Sequence, residues 1–231
     1  MAMKIVFFTG AGMSAESGIK TFRDSGGLWE EHDIYEVATP EAWERNPSLV
    51  LRFYNERRKQ MESVTPNLGH KAIAELESDF DVTVITQNID DLHERAGSSN
   101  VVHLHGELKF GRSSVDDKIL VDFTKKSIQI GDVCSKGSQI RPHVVWFGEM
   151  VPMIAKAEAI VQTADVFVVV GSSMQVYPAA GLISYTSAGC EHYYIDPNPS
   201  VISDIEPLTV INEKASEGVP KLAKLFKEKY L

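Results

Sequence analysis

Residues Lys4 to Asp24 read "KIVFFTGAGMSAESGIKTFRD", and this stretch decides the fold. The run "KIVFF" (Lys4 to Phe8) is β-branched and aromatic and does not alternate. A strand of that kind is expected to be buried on both faces, as in a parallel sheet covered by helices. A glycine loop follows at once. Gly10, Gly12 and Ala15 fit the G-x-G-x-x-G/A phosphate pattern. Gly10 allows the tight turn, Gly12 lets the backbone approach a pyrophosphate, and Ala15 keeps the helix close to the sheet. The free N–H groups of the helix start would then face the phosphates. An ordinary strand-to-helix turn could carry the same letters. The ribose-binding acid expected about twenty residues on, at the end of a second strand, has no counterpart, so this is not an ordinary dehydrogenase.

Outward from that loop, further strands are expected at "VTVIT" (Val82 to Thr86), "VVHL" (Val101 to Leu104), "VFVVV" (Val166 to Val170), "HYYI" (His192 to Ile195) and "LTVI" (Leu208 to Ile211). Helical patterns lie at Leu68 to Glu77, Met153 to Gln162, Ala179 to Ser187 and Glu217 to Tyr230. The fold class is therefore α/β: a Rossmann-like parallel sheet with helices on both faces. Two segments break the alternation. Pro40 to Val64 is helical and polar, with Trp43, Phe53 and Tyr54 as apolar anchors. Glu107 to Arg141 carries two alternating runs, "KILVDF" and "KKSIQIGDV", which suggest a small hairpin. The expected organisation is a Rossmann-like nucleotide-binding domain from residues 1–36, 65–106 and 142–231, and a small inserted lobe from 37–64 and 107–141.

The chain has 231 residues, 43% hydrophobic and 24% charged, the balance of a globular protein. A formal net charge of −9 gives no nucleic-acid footprint. The opening apolar run is too short for a signal peptide or a membrane span, and no later segment reaches membrane length. Two cysteines, Cys134 and Cys190, exclude a disulfide framework and point to the reducing cytoplasm.

"VVHLHGEL" (Val101 to Leu108) places His103 and His105 two residues apart, on one face of a strand. They could be paired metal ligands, or one could be a proton acceptor. A catalytic zinc usually takes three protein ligands, and no third stands at an obvious spacing. A neutral imidazole suits general-base work near neutral pH.

The blocks "GAGMSAESGIKTFRD", "TQNIDDLHERAG", "HLHGEL", "RPHVVWFGE" and "GSSMQVYPAA" span nearly the whole chain. Together the sequence resembles the sirtuins, NAD-dependent protein-lysine deacylases, and within them the bacterial desuccinylase-type branch. The resemblance implies that NAD is bound by Gly10, Ala11, Gly12, Ala15, Gln87, Asn88, Ile89 and Asp90, and by Gly171, Ser172 and Ser173 near the adenine-side ribose. Asp196 (where the family usually has Asn), Asn198 and Ala215 match further adenosine contacts. Phe22 and Arg23, with Asp24, match the family's cofactor loop, Phe22 shielding the reactive C1′ and Arg23 meeting phosphate or ribose oxygen. Asn88 and His105 match the catalytic pair. In the family the acyl-lysine oxygen attacks C1′ of the nicotinamide ribose, and the histidine then helps deprotonate a ribose hydroxyl. Products are nicotinamide, O-acyl-ADP-ribose and free lysine. His103 is read as structural or as a helper. Asn88 to Asp91 could also merely cap the following helix. Val145, Phe147 and Gly148, in extended backbone, match the segment that pairs with the substrate peptide.

Tyr54 and Arg57 stand three apart on one helical face, and no acid lies at i±3 or i±4 from Arg57. Arg58 has Glu62 at i+4 as a ready partner. By resemblance, Tyr54 and Arg57 match the pair that marks sirtuins preferring acidic acyl chains, so succinyl- or malonyl-lysine is expected over acetyl-lysine. The family's two CxxC zinc pairs are missing. "GRSS" stands in place of the first, and only Cys134 remains of the second. No metal is expected, and the insertion should be held by a small sheet from "KILVDF" and "SIQI". Competing readings are a mono-ADP-ribosyltransferase using the same NAD site and a non-catalytic NAD-binding regulator. The expected partners are acylated lysines on proteins or peptides, with no nucleic acid and no membrane, and the chain is expected to be a monomer.

Overall fold

The computed structural model describes residues 2–19, 28–29, 32–202 and 205–231. In chain order the first elements are β1 (Lys4–Thr9), α1 (Gly12–Ala15), β2 (Leu28–Trp29), β3 (His32–Asp33), α2 (Ile34–Val37), α3 (Pro40–Arg45), α4 (Pro47–Met61) and α5 (Leu68–Leu76). Next come β4 (Asp81–Thr86), α6 (Leu92–Ala96), β5 (Val101–His103), β6 (Gly106–Ser113), β7 (Leu120–Asp122) and β8 (Ile140–Val144). The chain ends with α7 (Ile154–Val161), β9 (Val166–Val170), a 3₁₀ helix (Ala179–Tyr185), β10 (Glu191–Ile195), β11 (Leu208–Ile211) and α8 (Ala215–Tyr230).

Six parallel strands form one sheet in the order β11-β10-β9-β1-β4-β5. Successive side chains of a strand point to opposite faces. Ile5 and Phe7 of β1, with Val166, Val168 and Val170 of β9, join a core with Ile73 and Leu76 of α5 and Val219, Leu222 and Phe226 of α8. Val6, Phe8, Phe167 and Val169 face the other way, onto α7 and the 3₁₀ helix. Helices therefore cover both faces, as the non-alternating runs require.

The second body of elements holds α2, α3, α4 and a three-stranded antiparallel sheet in the order β7-β6-β8. Its helices start where their caps dictate. Thr39 accepts from the N–H of Ala42 ahead of Pro40, and Asn46 accepts from the N–H of Leu49 ahead of Pro47. The expected hairpin between the two alternating runs does not form. Leu120–Asp122 pairs with β6 instead, a strand the sequence pattern left unread. "SIQI" is no strand: Ile128 drops into a core with Leu51, Phe123, Cys134 and Ile140, and Asn55 of α4 bonds both the N–H and the carbonyl of Ile128. A side chain from α4 thus satisfies the backbone that a second strand would have satisfied. The hydroxyls of Ser113, in "GRSS", and Ser138 stand 3.3 and 3.2 Å from the Cys134 sulfur.

Candidate active site at the carboxyl end of the sheet

The sheet order turns about β1, and the loops after β1 and β9 flank the crevice where open α/β sheets take ligands. The two loops are packed against each other. A Cβ on Gly10 would lie 2.7 Å from the Gly171 oxygen, and one on Gly12 2.7 Å from the Gly171 Cα. The Gly12 N–H donates to the Gly171 carbonyl at 2.8 Å. The absence of a side chain at Gly12 is thus required by the close approach of the neighbouring loop. Helix α1 is a single turn whose buried residues are Met13 and Ser14. Met13, rather than the half-buried Ala15, packs it onto the sheet. Ala11 is exposed at the N-cap. Phe22 and Arg23 lie outside the described residues.

The loop after β4 is tied down by polar contacts. Asn88 Nδ2 donates to the Gly10 carbonyl at 3.0 Å and to Ser14 Oγ at 3.1 Å. Ser14 Oγ donates in turn to Asp90 Oδ2 at 3.0 Å. Asp90 Oδ1 accepts from the Leu92 N–H, so Asp90 rather than Asp91 caps α6. Asn88 makes no capping bond of its own and joins the first glycine loop to the second strand end. Burial raises the Asp90 pKa, against the pull of its bonds from Leu92 and Ser14. Gln87 Oε1 accepts from the Ser172 hydroxyl at 3.0 Å, linking the β4 and β9 loops. The Ser173 carbonyl accepts from Ser200, and Asp196 Oδ1 accepts from the N–H of Asn198 just past β10. Ala215 opens α8 and is buried, its carbonyl 2.8 Å from where a Cβ on Gly69 would stand. Ser14, absent from the sequence-level candidates, is the centre of this network; its place inside the glycine loop was the only signal.

His105 stands just past β5, half-buried, with Nδ1 3.0 Å from the Gln87 carbonyl. A carbonyl only accepts, so Nδ1 carries the hydrogen and Nε2 offers its lone pair. Burial lowers the His105 pKa against a smaller pull from Gln87, which keeps the ring neutral at neutral pH. Gly106 follows in a left-handed conformation (φ 82°). Any Cβ there would collide with the His143 carbonyl, so the turn from His105 into β6 demands glycine.

Ile89 carries the same loop onto a cluster in the second body, with Phe53, Tyr54, Leu108, Val144 and Trp146. Tyr54 is fully buried and its oxygen accepts from Trp146 Nε1 at 3.0 Å. Burial holds its phenol far above the ordinary tyrosine pKa, so it stays protonated. Arg57 is 5% exposed; its guanidinium lies 3.3 Å above the Phe53 ring and Nη1 donates to the Phe53 carbonyl. Arg57 is close enough to Tyr54 to pull its pKa down by charge. Arg58 is not directed at Glu62: it donates to the Leu108 carbonyl and to Asn55 Oδ1. Val145 to Gly148 is not the extended segment expected. The chain leaves β8 at Val144 and turns, with Gly148 at φ 90°. The N–H groups of Val145, Trp146 and Phe147 are taken by the His105 carbonyl, the Glu149 carboxylate and the Ala38 carbonyl. The Phe147 side chain is 44% exposed.

A model of the Sir2 family matches residues 10–178. The chain belongs to the Sir2 family. An NAD-dependent protein deacylase of Bacteroides thetaiotaomicron is 52% identical over 228 residues, covering 96% of this chain and 97% of that protein. One from Helicobacter pylori strain J99 is 47% identical, covering 98% of each. A solved Sir2 homologue in complex with NAD superposes with a TM-score of 0.87 at 38% identity, covering 98% of this chain and 90% of the other. A mutant Sir2 homologue with ADP-ribose gives 0.88 at 37%, covering 98% and 93%. The Sir2 likeness in fold thus runs over nearly the whole molecule, including both bodies. Among the described residues no helix is long and apolar enough to cross a membrane.

Proposed function

We propose that this Sir2 protein is an NAD-dependent protein-lysine deacylase that favours acyl chains ending in a carboxylate. The observation that carries the deacylase reading is His105, a half-buried imidazole just past β5 with Nδ1 fixed on the Gln87 carbonyl and Nε2 left as a base, bonded to the same loop after β4 that holds Asn88 and Asp90. Relatives named as NAD-dependent protein deacylases, alike over almost the full length, support it.

The residues present fit NAD. Polar groups converge at the carboxyl ends of β1, β4, β9 and β10, at the crevice of the sheet, and a buried amide and carboxylate stand beside the glycine loop. Gly10, Ala11, Gly12, Ala15, Arg23, Gly171, Ser172 and Ser173 would hold the phosphates and the adenine-side ribose, with Asp196, Asn198 and Ala215 at the adenosine end, and Phe22 would shield C1′ of the nicotinamide ribose from water. Gln87, Asn88, Ile89 and Asp90 would hold the nicotinamide ribose and carboxamide. When bound, NAD supplies the ADP-ribosyl group that accepts the acyl chain and releases nicotinamide. His105 Nε2 takes the proton from a ribose hydroxyl. Asn88 orients that ribose. Val145, Phe147 and Gly148 line the approach of the acyl-lysine peptide; with the Val145 and Phe147 N–H groups already bonded to the His105 and Ala38 carbonyls, its pairing falls to their other main-chain groups. The chain divides into the nucleotide-binding domain of residues 1–36, 65–106 and 142–231 and the small lobe of 37–64 and 107–141. It acts as a monomer in the cytoplasm.

The acyl preference rests on Tyr54 and Arg57, adjacent on α4 beside the Ile89 loop. A guanidinium takes a carboxylate in two bonds, and the protonated Tyr54 hydroxyl adds a third. Acetyl-lysine, lacking the carboxylate, is still accepted. Incubation with NAD and an acyl-lysine peptide, with products identified by mass, tests the reading. O-acyl-ADP-ribose and free lysine are expected. ADP-ribose transferred to protein would instead favour the transferase, and no turnover a binding regulator.

A further inference from the structure

Four successive carbonyls, at the last residue of β4 and in the loop after it, are taken by one short segment of the chain. The Thr86 carbonyl accepts from the Leu104 N–H, Gln87 from His105 Nδ1, Asn88 from His103 Nδ1 and Ile89 from the Leu108 N–H, at 2.9, 3.0, 3.0 and 2.8 Å. Two of the four bonds come from histidine rings two residues apart. The rings are in different states. His105 Nδ1 faces one acceptor. His103 faces two: its Nδ1 lies on the Asn88 carbonyl and its Nε2 lies 2.9 Å from Glu94 Oε1. A carbonyl and a carboxylate both accept, so both nitrogens of His103 must carry hydrogen, and the ring is an imidazolium.

The surroundings suit that charge. Glu94 comes from α6, and Glu107 of β6 lies 4.0 Å from His103 Nε2. Lys109 of β6 spans the two carboxylates, 2.7 Å from Glu107 and 3.9 Å from Glu94. Glu94, His103 and Glu107 form the one close cluster of three His, Cys, Asp or Glu groups among the described residues; the Lys109 ammonium makes it an ion-pair network. On the other sides His103 acts by charge on Asp90, on His93 of α6 and on His143 of β8. Burial works against a charged ring, but Glu94, Glu107 and the Asn88 carbonyl outweigh it, and the His103 pKa is raised. Burial likewise opposes the Glu94 charge, yet His103 and Lys109 hold its pKa below the ordinary value.

We propose that His103 is a positioning residue for the deacylation reaction, a charged strut between Glu94 and the Asn88 peptide. It fixes the loop that carries the Asn88 amide and the Gln87 carbonyl, and through that carbonyl the tautomer of His105. This rests on the deacylase reading of the same site. The strut works while His103 is protonated, so it fails as pH rises through its raised pKa. His105 works while neutral, so it fails as pH falls. The two histidines of "HLH" therefore set opposite limbs of one pH profile.

Two variants test this. In Glu94→Gln an acceptor remains but its charge is gone, so the alkaline limb of kcat/KM for NAD should move to lower pH while the acid limb stays. His103→Ala should lower kcat/KM for NAD roughly tenfold or more, equally with acetyl and succinyl peptides, as misplacement of a reacting group does. Unchanged limbs in Glu94→Gln, or wild-type kcat/KM in His103→Ala, would overturn the proposal. So would a loss in His103→Ala that differs between the two peptides. If His103→Ala fails to fold, the Glu94→Gln profile decides alone. Calorimetric titration with NAD, without peptide, separates this from the parent reading. Weaker NAD binding in both variants supports the strut even if the wild type turns over no acyl-lysine, and equal binding in that case counts against it.

Discussion

The carboxyl end of the six-stranded sheet and the α4 cluster around Tyr54 and Trp146 meet at Ile89, and they are built differently. At the sheet end, the carbonyls of Thr86 to Ile89 are each bonded, glycine packs on glycine, and Ser14 ties Asn88 to Asp90. Geometry there is fixed by hydrogen bonds among main-chain groups and short polar or imidazole side chains. Between α4 and the end of β8 the geometry comes from large side chains: Tyr54 on Trp146, Arg57 on Phe53, Arg141 on Trp146. A site tied by an interlinked hydrogen-bond network suits chemistry common to every substrate. A site made of packed large side chains can be retuned by one substitution, which suits a choice between substrates. The comparison yields predictions that differ in which substrates they touch.

The largest effect is expected from His105→Ala. Loss of a general base costs about 10²–10⁴-fold in rate, and acetyl and succinyl peptides should suffer alike. Burial lowers the wild-type pKa of His105 below 6.5, so wild-type kcat/KM should hold at neutral pH and fall as pH drops through that lowered value. A single-turnover pH series on both peptides checks this; an acid limb above 6.5, or different losses for the two acyl groups, would break the comparison.

Asn88→Ala comes next, at roughly 10–100-fold on both substrates. One hydrogen bond is worth only about 0.5–1.5 kcal/mol, but misplacing a reacting ribose costs more. Rates at saturating NAD separate orientation from affinity, and an unchanged rate would leave Asn88 as a tie between loops.

Tyr54→Phe is expected to be smaller and selective: a severalfold loss with succinyl peptide, near one hydrogen bond in energy, and little with acetyl. It also removes the acceptor for the Trp146 indole, so thermal unfolding should show a destabilisation of about 1 kcal/mol. Equal losses on both peptides would place Tyr54 in packing alone.

The same contrast explains what could be read from the sequence. The sheet was legible because "KIVFF" and "VFVVV" carry the mark of burial on both faces, and the strand ends named their own polar residues. Ser14 escaped because a serine inside a glycine loop resembles any turn residue. The elements around α4 and the three-stranded sheet were less legible because their contacts are long-range. Asn55 takes over the backbone of Ile128, 73 positions away, and turns an alternating run into a loop. Arg58 ignores Glu62 four residues on for the Leu108 carbonyl, which no local rule anticipates. The role of Met13 over Ala15 likewise depends on how short α1 is, and a fingerprint does not carry helix length.

The most direct measurement is kcat/KM for succinyl- and acetyl-lysine forms of one peptide, in the wild type and in Arg57→Met. Charge-assisted hydrogen bonds contribute about 1.5–3 kcal/mol, so the wild type should favour succinyl and Arg57→Met should lose desuccinylation roughly ten- to a hundredfold, with deacetylation far less affected. Equal losses on the two peptides, or a wild type that prefers acetyl, would contradict an account in which the α4 face reads the acyl chain and the sheet end performs the chemistry.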